Sequence, residues 1–423
     1  MSDHLMNTYM RQPVTFTKGV GVWLWDEHGE KYLDALAGVA VNGLGHAHPK
    51  LVKAISEQAA KLIHVSNIYH ISEQNALADK LCAITGMDKV FFCNSGCEAN
   101  EAAIKLARLY GHNKGIENPE IIVMDKSFHG RTMATLSATG NRKVQAGFEP
   151  LVSGFIRVPY DDVEAIKQIA SRKNNVVAIL VEPVQGEGGI NIPKDASGYL
   201  ETLREICDAH DWLLMLDEVQ TGVGRTGTWF AFQHTNIKPD VMSLAKGLAS
   251  GVPIGACLAS GKAATVFTYG KHGSTFGGNP LATAAGLATL NIIEEEGLRE
   301  NAEKIGNLIR ESFKAEFNHT KGVVTVRNAG MMIGIELDKP CTELAKLALE
   351  AKLLINVTAD KVVRLLPPLV MNEAEAHELV ERLAVVIKTF LLNSKETSIK
   401  ETSSSAINQH VMSNEALTTP HLD

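Results

Sequence analysis

Trp212-Leu213-Leu214-Met215-Leu216-Asp217-Glu218 packs five apolar residues into one short run that ends on two carboxylates. A run this short, with no polar residue for either face, predicts a strand covered on both sides. Similar runs predict strands at Lys89–Phe92, Ile121–Met124, Val176–Glu182, Val241–Leu244 and Pro253–Ala259. Amphipathic stretches between them, Glu98–Tyr110, Val163–Ala170 and Gly198–Ala209, predict helices. Buried strands alternating with helices imply an α/β architecture with a large, doubly wound, mostly parallel sheet. From about Glu294 the pattern changes to helices at Leu298–Phe317, Cys341–Ala351 and Glu373–Leu391 around short strands at Gly322–Val326 and Met332–Glu336, a smaller α+β domain. The expected division is an N-terminal segment 1–49 packing with the small domain, a large domain 50–295, a small domain 296–393, and a disordered tail 394–423. The tail carries ten Ser or Thr and no aromatic residue, too little apolar surface to offset ordering entropy.

The composition excludes several classes. The chain has 423 residues, 45% hydrophobic and 21% charged, with a formal charge of −7, so no overall attraction to nucleic acid or anionic membrane is expected. The six cysteines (82, 93, 97, 207, 257, 341) are scattered and lack paired spacing, which argues against a disulfide scaffold. His46-Ala47-His48 and Cys93…Cys97 have no second ligand pair, and no metal is expected. The start lacks an apolar core for a signal peptide, and the longest uncharged stretch, 272–293, is split by Gly277-Gly278-Asn279-Pro280. Its apolar half reads as a buried helix and the protein as cytoplasmic.

Five motifs carry chemistry. Asn94-Ser95-Gly96-Cys97-Glu98 follows a strand, with Ser95 and Glu98 at capping-box spacing and Gly111 as the expected helix stop. The free N–H groups there suit an anion, but the dipole supplies only ~0.3–2 kcal/mol, and alone the motif reads more readily as an ordinary capped helix. Asp217 sits at the carboxyl end of an internal strand, where open α/β sheets hold ligands; hydrogen bonding to loop amides is the equal alternative. Gly222-Val223-Gly224-Arg225-Thr226-Gly227 formally matches a dinucleotide fingerprint, yet an aromatic run follows where a helix should open. Lys246 lies among apolar and glycine residues, an unusual setting for a surface lysine and one that favours a free amine. Ser127-Phe128-His129-Gly130-Arg131-Thr132 places an aromatic ring beside an arginine, suited to a flat ligand and a carboxylate, or simply a surface loop. A reactive lysine, a strand-end carboxylate 29 residues before it, an anion cradle and an aromatic wall are together what pyridoxal phosphate requires.

Several long motifs in order make the resemblance specific: NSGCEANEAAIKLAR (94–108), SFHGRT (127–132), EPVQGEGG (182–189), DEVQTGVGRTG (217–227), the Lys246 segment, HGSTFGGNP (272–280) and RLLPPL (364–369). Across residues 8–392 the sequence resembles the class III pyridoxal-phosphate aminotransferases of fold type I. The resemblance implies that Lys246 bonds the cofactor aldehyde and shuttles the proton, and that Asp217 pairs with the ring nitrogen. Glu218, Val219 and Gln220 would line the cofactor, Gln220 near the ring hydroxyl; Ser95, Gly96 and Cys97 would surround the phosphate, and Phe128 would stack on the ring. Thr275 would reach a phosphate across a homodimer interface, with Ser274 close to substrate, so that two chains share each site. Arg131 would hold a substrate carboxylate; Arg364 would take the α-carboxylate of glutamate, and Glu187 would cover it otherwise. Cys97 departs from the small Ala, Thr or Ser more usual there. The opening NTYMRQPVTFTKGVGVWLWD (7–26) implies transfer of the δ-amino group of N2-acetylornithine to 2-oxoglutarate, with N-succinyl-diaminopimelate as a further donor. The rivals are another ω-amine donor (ornithine, succinylornithine or 4-aminobutyrate), a nicotinamide dehydrogenase needing a helix after Gly227, and a non-catalytic binding protein.

Overall fold

The computed structural model describes residues 4–393, so the expected disordered tail 394–423 lies outside the described residues. The apolar runs form the centre of a seven-stranded sheet, ordered Lys89–Cys93, Gly255–Ala259, Val241–Leu244, Leu213–Asp217, Val176–Val181, Glu120–Met124, Phe155–Val158. Every residue of Val176–Val181, Leu213–Asp217 and Val241–Leu244 is buried, because helices cover both faces. Six strands run parallel; Gly255–Ala259 is antiparallel to both its neighbours. The edge strand Phe155–Val158 was not legible in the sequence: half-buried, it has neither a continuous apolar run nor clean alternation.

This topology brings functional groups to one edge. The carboxyl ends of the parallel strands deliver Asp217 at a strand terminus, Glu182 one residue beyond Val181, Lys246 two beyond Leu244, and the Phe128–His129 loop after Met124. Two further four-stranded sheets flank this core. Phe16–Val20, Trp23–Asp26 and Lys31–Asp34 recruit Leu353–Leu354 in parallel, while Val323–Ala329, Met332–Leu337, Val362–Leu365 and Asn356–Thr358 form the other. A helix at residues 373–393 closes the described chain. Of the uncharged stretch, Pro280–Glu295 is a largely buried helix, and no helix among the described residues is long and apolar enough to cross a membrane.

One local reading is borne out and another needs correction. Gly222–Gly227 leads through a turn into the short 3-10 segment Ala231–His234, so the helix a dinucleotide site requires is missing there. The Gly96–Asn113 helix does not stop at Gly111. Gly111 is buried inside it, and a Cβ there would meet Pro119 Cβ and Val177 Cγ1, each at 2.7 Å. The glycine serves helix–sheet contact rather than termination. Gly111→Ala should therefore lower the midpoint of chemical unfolding: overpacking costs about 1–3 kcal/mol against roughly 1 kcal/mol gained in helix propensity. A more stable variant would contradict this.

Candidate active site

A cavity of about 940 Å³ opens at the carboxyl edge of the large sheet. Ser95, Gly96, Cys97, Phe128, Arg131, Glu187, Asp217, Val219, Gln220, Lys246 and Arg364 all line it, so most of the residues named from sequence converge.

Asp217 is 4% exposed and receives three hydrogen bonds. Asn100 Nδ2 donates to Oδ2 at 2.7 Å, His129 Nδ1 lies 2.8 Å from the same oxygen, and Val219 N donates to Oδ1 at 3.0 Å. Three donors replace the hydration this buried carboxyl group gives up. Asn100 and His129 were not recognised from sequence as part of the site. Asn100 was detectable as a polar residue on the buried face of the Gly96–Asn113 helix, beside Ala99, Ala103 and Ala107.

Lys246 is half-buried with backbone φ of +42°, a left-handed conformation uncommon outside glycine. Burial pulls its pKa below the usual lysine range, with Asp217 partly opposing the shift. Its Nζ has no hydrogen-bond partner among the described residues. Glu182 is buried nearby; burial and the Asp217 charge push its carboxyl up to about 7, although Phe128 N and Gly186 N both donate to it.

Ser95 caps its helix, its hydroxyl accepting from Glu98 N at 3.2 Å, and the first free N–H groups belong to Gly96 and Cys97. At Gly96 a Cβ would meet Val219 Cγ1 at 2.7 Å, so glycine keeps this approach open. The Cys97 thiol faces Thr132 and Thr135 and accepts from Arg131 N and Thr132 N at 3.2 and 3.3 Å. The Arg131 guanidinium is exposed, 5.6 Å from the centre of the Phe128 ring.

Arg364 is 1% exposed, with Nη2 paired to Glu187 at 3.0 Å, Nε donating to Asn356 Oδ1 at 3.0 Å, and Nη1 without a partner. Glu187 is half-exposed, so it can leave this pair for water at little cost.

Glu218 is not part of the cavity. Neighbouring side chains at a strand end point to opposite faces, and its carboxylate turns to the Thr221 hydroxyl and to Ala231 N and Phe232 N. Ser274 and Thr275 lie instead in a separate hollow of about 330 Å³ with Asn94, Glu98 and Glu101, Asn94 Nδ2 donating to Ser274 Oγ at 3.2 Å.

The residues present fit pyridoxal phosphate. Buried polar atoms stand unpartnered around the cavity at Asn100 Oδ1, His129 Nε2, Gln220 Oε1 and Arg364 Nη1, and the open backbone at Gly96 and Cys97 suits the phosphate. Residues 6–387 match the family model described as aminotransferase class-III. The chain belongs to this family. As a class III aminotransferase it uses pyridoxal phosphate and exchanges an amino group between small molecules. It is 63% identical over 389 residues to an acetylornithine aminotransferase of Nitrosomonas europaea, covering 92% of this chain and 98% of that relative. Among solved structures, an acetylornithine aminotransferase from Elizabethkingia anophelis superposes with a TM-score of 0.82 at 38% identity, covering 91% of this chain and 96% of that one. An ornithine aminotransferase from Toxoplasma gondii, crystallized with oxidized glutathione and described with partial PLP occupancy at its active site, gives 0.87 at 34% identity, with 93% of each chain covered.

Glu218 yields a test of its assignment to the core. Burial pushes its carboxyl up to about 7, outweighing three donors. Between pH 4.5, its ordinary value, and about 7 the folded chain holds a proton that the unfolded chain releases. This contribution to stability is complete below 4.5 and lost as pH rises through about 7. Glu218→Gln should flatten the decline in unfolding free energy over that window by on the order of 3 kcal/mol. An unchanged slope would contradict the assignment.

Proposed function

We propose that this aminotransferase moves the δ-amino group of N2-acetylornithine to 2-oxoglutarate, forming the semialdehyde and glutamate. The observation that carries the reading is the pair of arginines at unequal depth: Arg131 exposed at the mouth, Arg364 buried and covered by Glu187. Two substrates that each present a carboxylate, at different distances from the reacting amine, need two such receivers.

When bound, pyridoxal phosphate supplies an aldehyde for amine exchange and a ring that accepts electron density from the carbon losing its proton. Lys246 Nζ, whose pKa burial lowers, would take and return that proton. Asp217, oriented by Asn100 and His129, would pair with the ring nitrogen. Gly96 and Cys97 N–H groups would receive the phosphate, Phe128 and Val219 would wall the ring, and Gln220, whose buried Oε1 has no partner, would lie near its hydroxyl. Arg131 takes the distal carboxylate of acetylornithine while Glu187 keeps Arg364 paired. For glutamate and 2-oxoglutarate, Glu187 swings out and Arg364, which lines the cavity with its buried Nη1 unpartnered, binds the α-carboxylate.

Thr275 lies outside its own chain's cavity while Tyr269 and Phe276 beside it are exposed. This supports a homodimer in which the 272–280 loop completes the neighbour's phosphate site; we propose further that the protein is cytoplasmic and that 1–49 and 296–393 form one lobe against 50–295, with Leu353–Leu354 pairing in parallel with Lys31–Asp34. Sedimentation equilibrium should return twice the chain mass, and Thr275→Ala should weaken cofactor retention without changing that mass; a monomer would end the shared-site reading.

The gate is tested in single half-reactions. Glu187→Ala should lower kcat/KM for acetylornithine about tenfold, which is ~1.4 kcal/mol. That lies below the ~3–5 kcal/mol of a wholly buried pair because Glu187 is half-exposed. The glutamate half-reaction should change far less. Equal losses would refute the gate, and preference for ornithine, succinylornithine or 4-aminobutyrate in a donor panel would refute the substrate.

A further inference from the structure

The Glu187 loop is held unusually firmly for a segment carrying a moving group. Its backbone is tied on the cofactor side by Gly186 N donating to Glu182 Oε2 at 3.1 Å, and on the opposite side by the Thr358 hydroxyl donating to Glu187 O. The paired bonds Gln185 N to Asn191 O and Asn191 N to Gln185 O, both 3.0 Å, close its base.

Two further carbonyls are collected by one side chain. Gly189 and Ile190 have φ of +116° and +51°. Left-handed backbone at a β-branched residue persists only where the surroundings over-determine it. Ile190 is fully buried, and Arg327, on the Val323–Ala329 strand, supplies the constraint. Its Nε donates to Ile190 O at 2.7 Å, its Nη2 to Gly189 O at 2.6 Å, and its Nη1 to Glu336 Oε2 at 2.6 Å. The planar fork of arginine meets two adjacent carbonyls and a carboxylate at once, which lysine cannot do.

We propose that Arg327 is a positioning residue that clamps the Gly186–Ile190 loop, so that the gate over Arg364 opens by rotation of the Glu187 side chain on a fixed backbone. Arg327 does not line the cavity and touches neither substrate nor cofactor site; it acts through Glu187. A fixed mount keeps the Glu187–Arg364 pair at bonding distance whenever no α-carboxylate competes, and so maintains discrimination between the two substrates. The inference rests on the gate reading above and adds what holds the gate in place.

Arg327→Met tests it in the full-length holoenzyme, alone and combined with Glu187→Ala. Amide exchange of the peptide spanning 183–192 should speed up by about tenfold or more, the scale for losing hydrogen bonds to a charged group. In single half-reactions kcat/KM for acetylornithine should fall several-fold with the glutamate value nearly unchanged, and the Met substitution should add almost nothing in the Glu187→Ala background. Arg327→Lys should give the same pattern at smaller amplitude, and it decides the matter if the Met variant does not fold. Unchanged exchange, equal losses in both half-reactions, or an undiminished effect without Glu187 would overturn the clamp. If Glu187→Ala shows no split, the gate reading fails and the clamp with it; if it splits and the Arg327 variants do not, only the clamp fails.

Discussion

The site depends on keeping one negative charge at the end of a buried strand. Removing a carboxylate from water is costly unless donors replace the lost hydration. Asp217 stands on a strand with no exposed residue, and its surroundings are built to meet that cost. Asn100 comes from the helix behind the phosphate cradle, His129 from the loop that carries Phe128, and Val219 N from the turn that walls the cavity. The anion cradle, the ring wall and the turn are thereby fixed relative to one charge. The nearby Glu182, with two backbone donors, is the carboxyl that yields, its pKa pushed up to about 7. Burial and the neighbouring Asp217 both push Glu182 up, as expected where two carboxyls share a low-dielectric site.

Much of this was legible in the sequence because burial on both faces leaves a strong mark. Val176–Val181, Leu213–Asp217 and Val241–Leu244 are continuous apolar runs, and their carboxyl ends were therefore expected to hold the site. The reversed direction of Gly255–Ala259 left no mark, since a fully buried strand reads alike in either direction. The three N-terminal strands went unrecognised because they are short and only partly buried. Glu218 was placed with the cofactor by the family resemblance, although consecutive residues in extended chain face apart. Asn100 and His129 were missed because a buried polar group shows its partner only once the chain has folded.

The two arginines illustrate a limit of composition. Arg131 and Arg364 count equally toward the net charge, yet one guanidinium lies in solvent beside an aromatic ring and the other is enclosed with a half-exposed glutamate as counter-ion. On the proposed reading, specificity arises from that difference in depth. An enclosed arginine must always have a partner, so either Glu187 or a substrate carboxylate fills the place, and the loop carrying Glu187 is correspondingly well anchored.

The most direct test of the Asp217 charge is the 15N chemical shift of the ring nitrogen in holoenzyme loaded with 15N-labelled pyridoxal phosphate, compared between the wild-type chain and Asp217→Asn. A protonated ring nitrogen throughout the pH range in which the protein is folded, lost in the Asn variant, is the predicted result. An unprotonated nitrogen in the wild-type protein, or the same shift in both, would contradict the account.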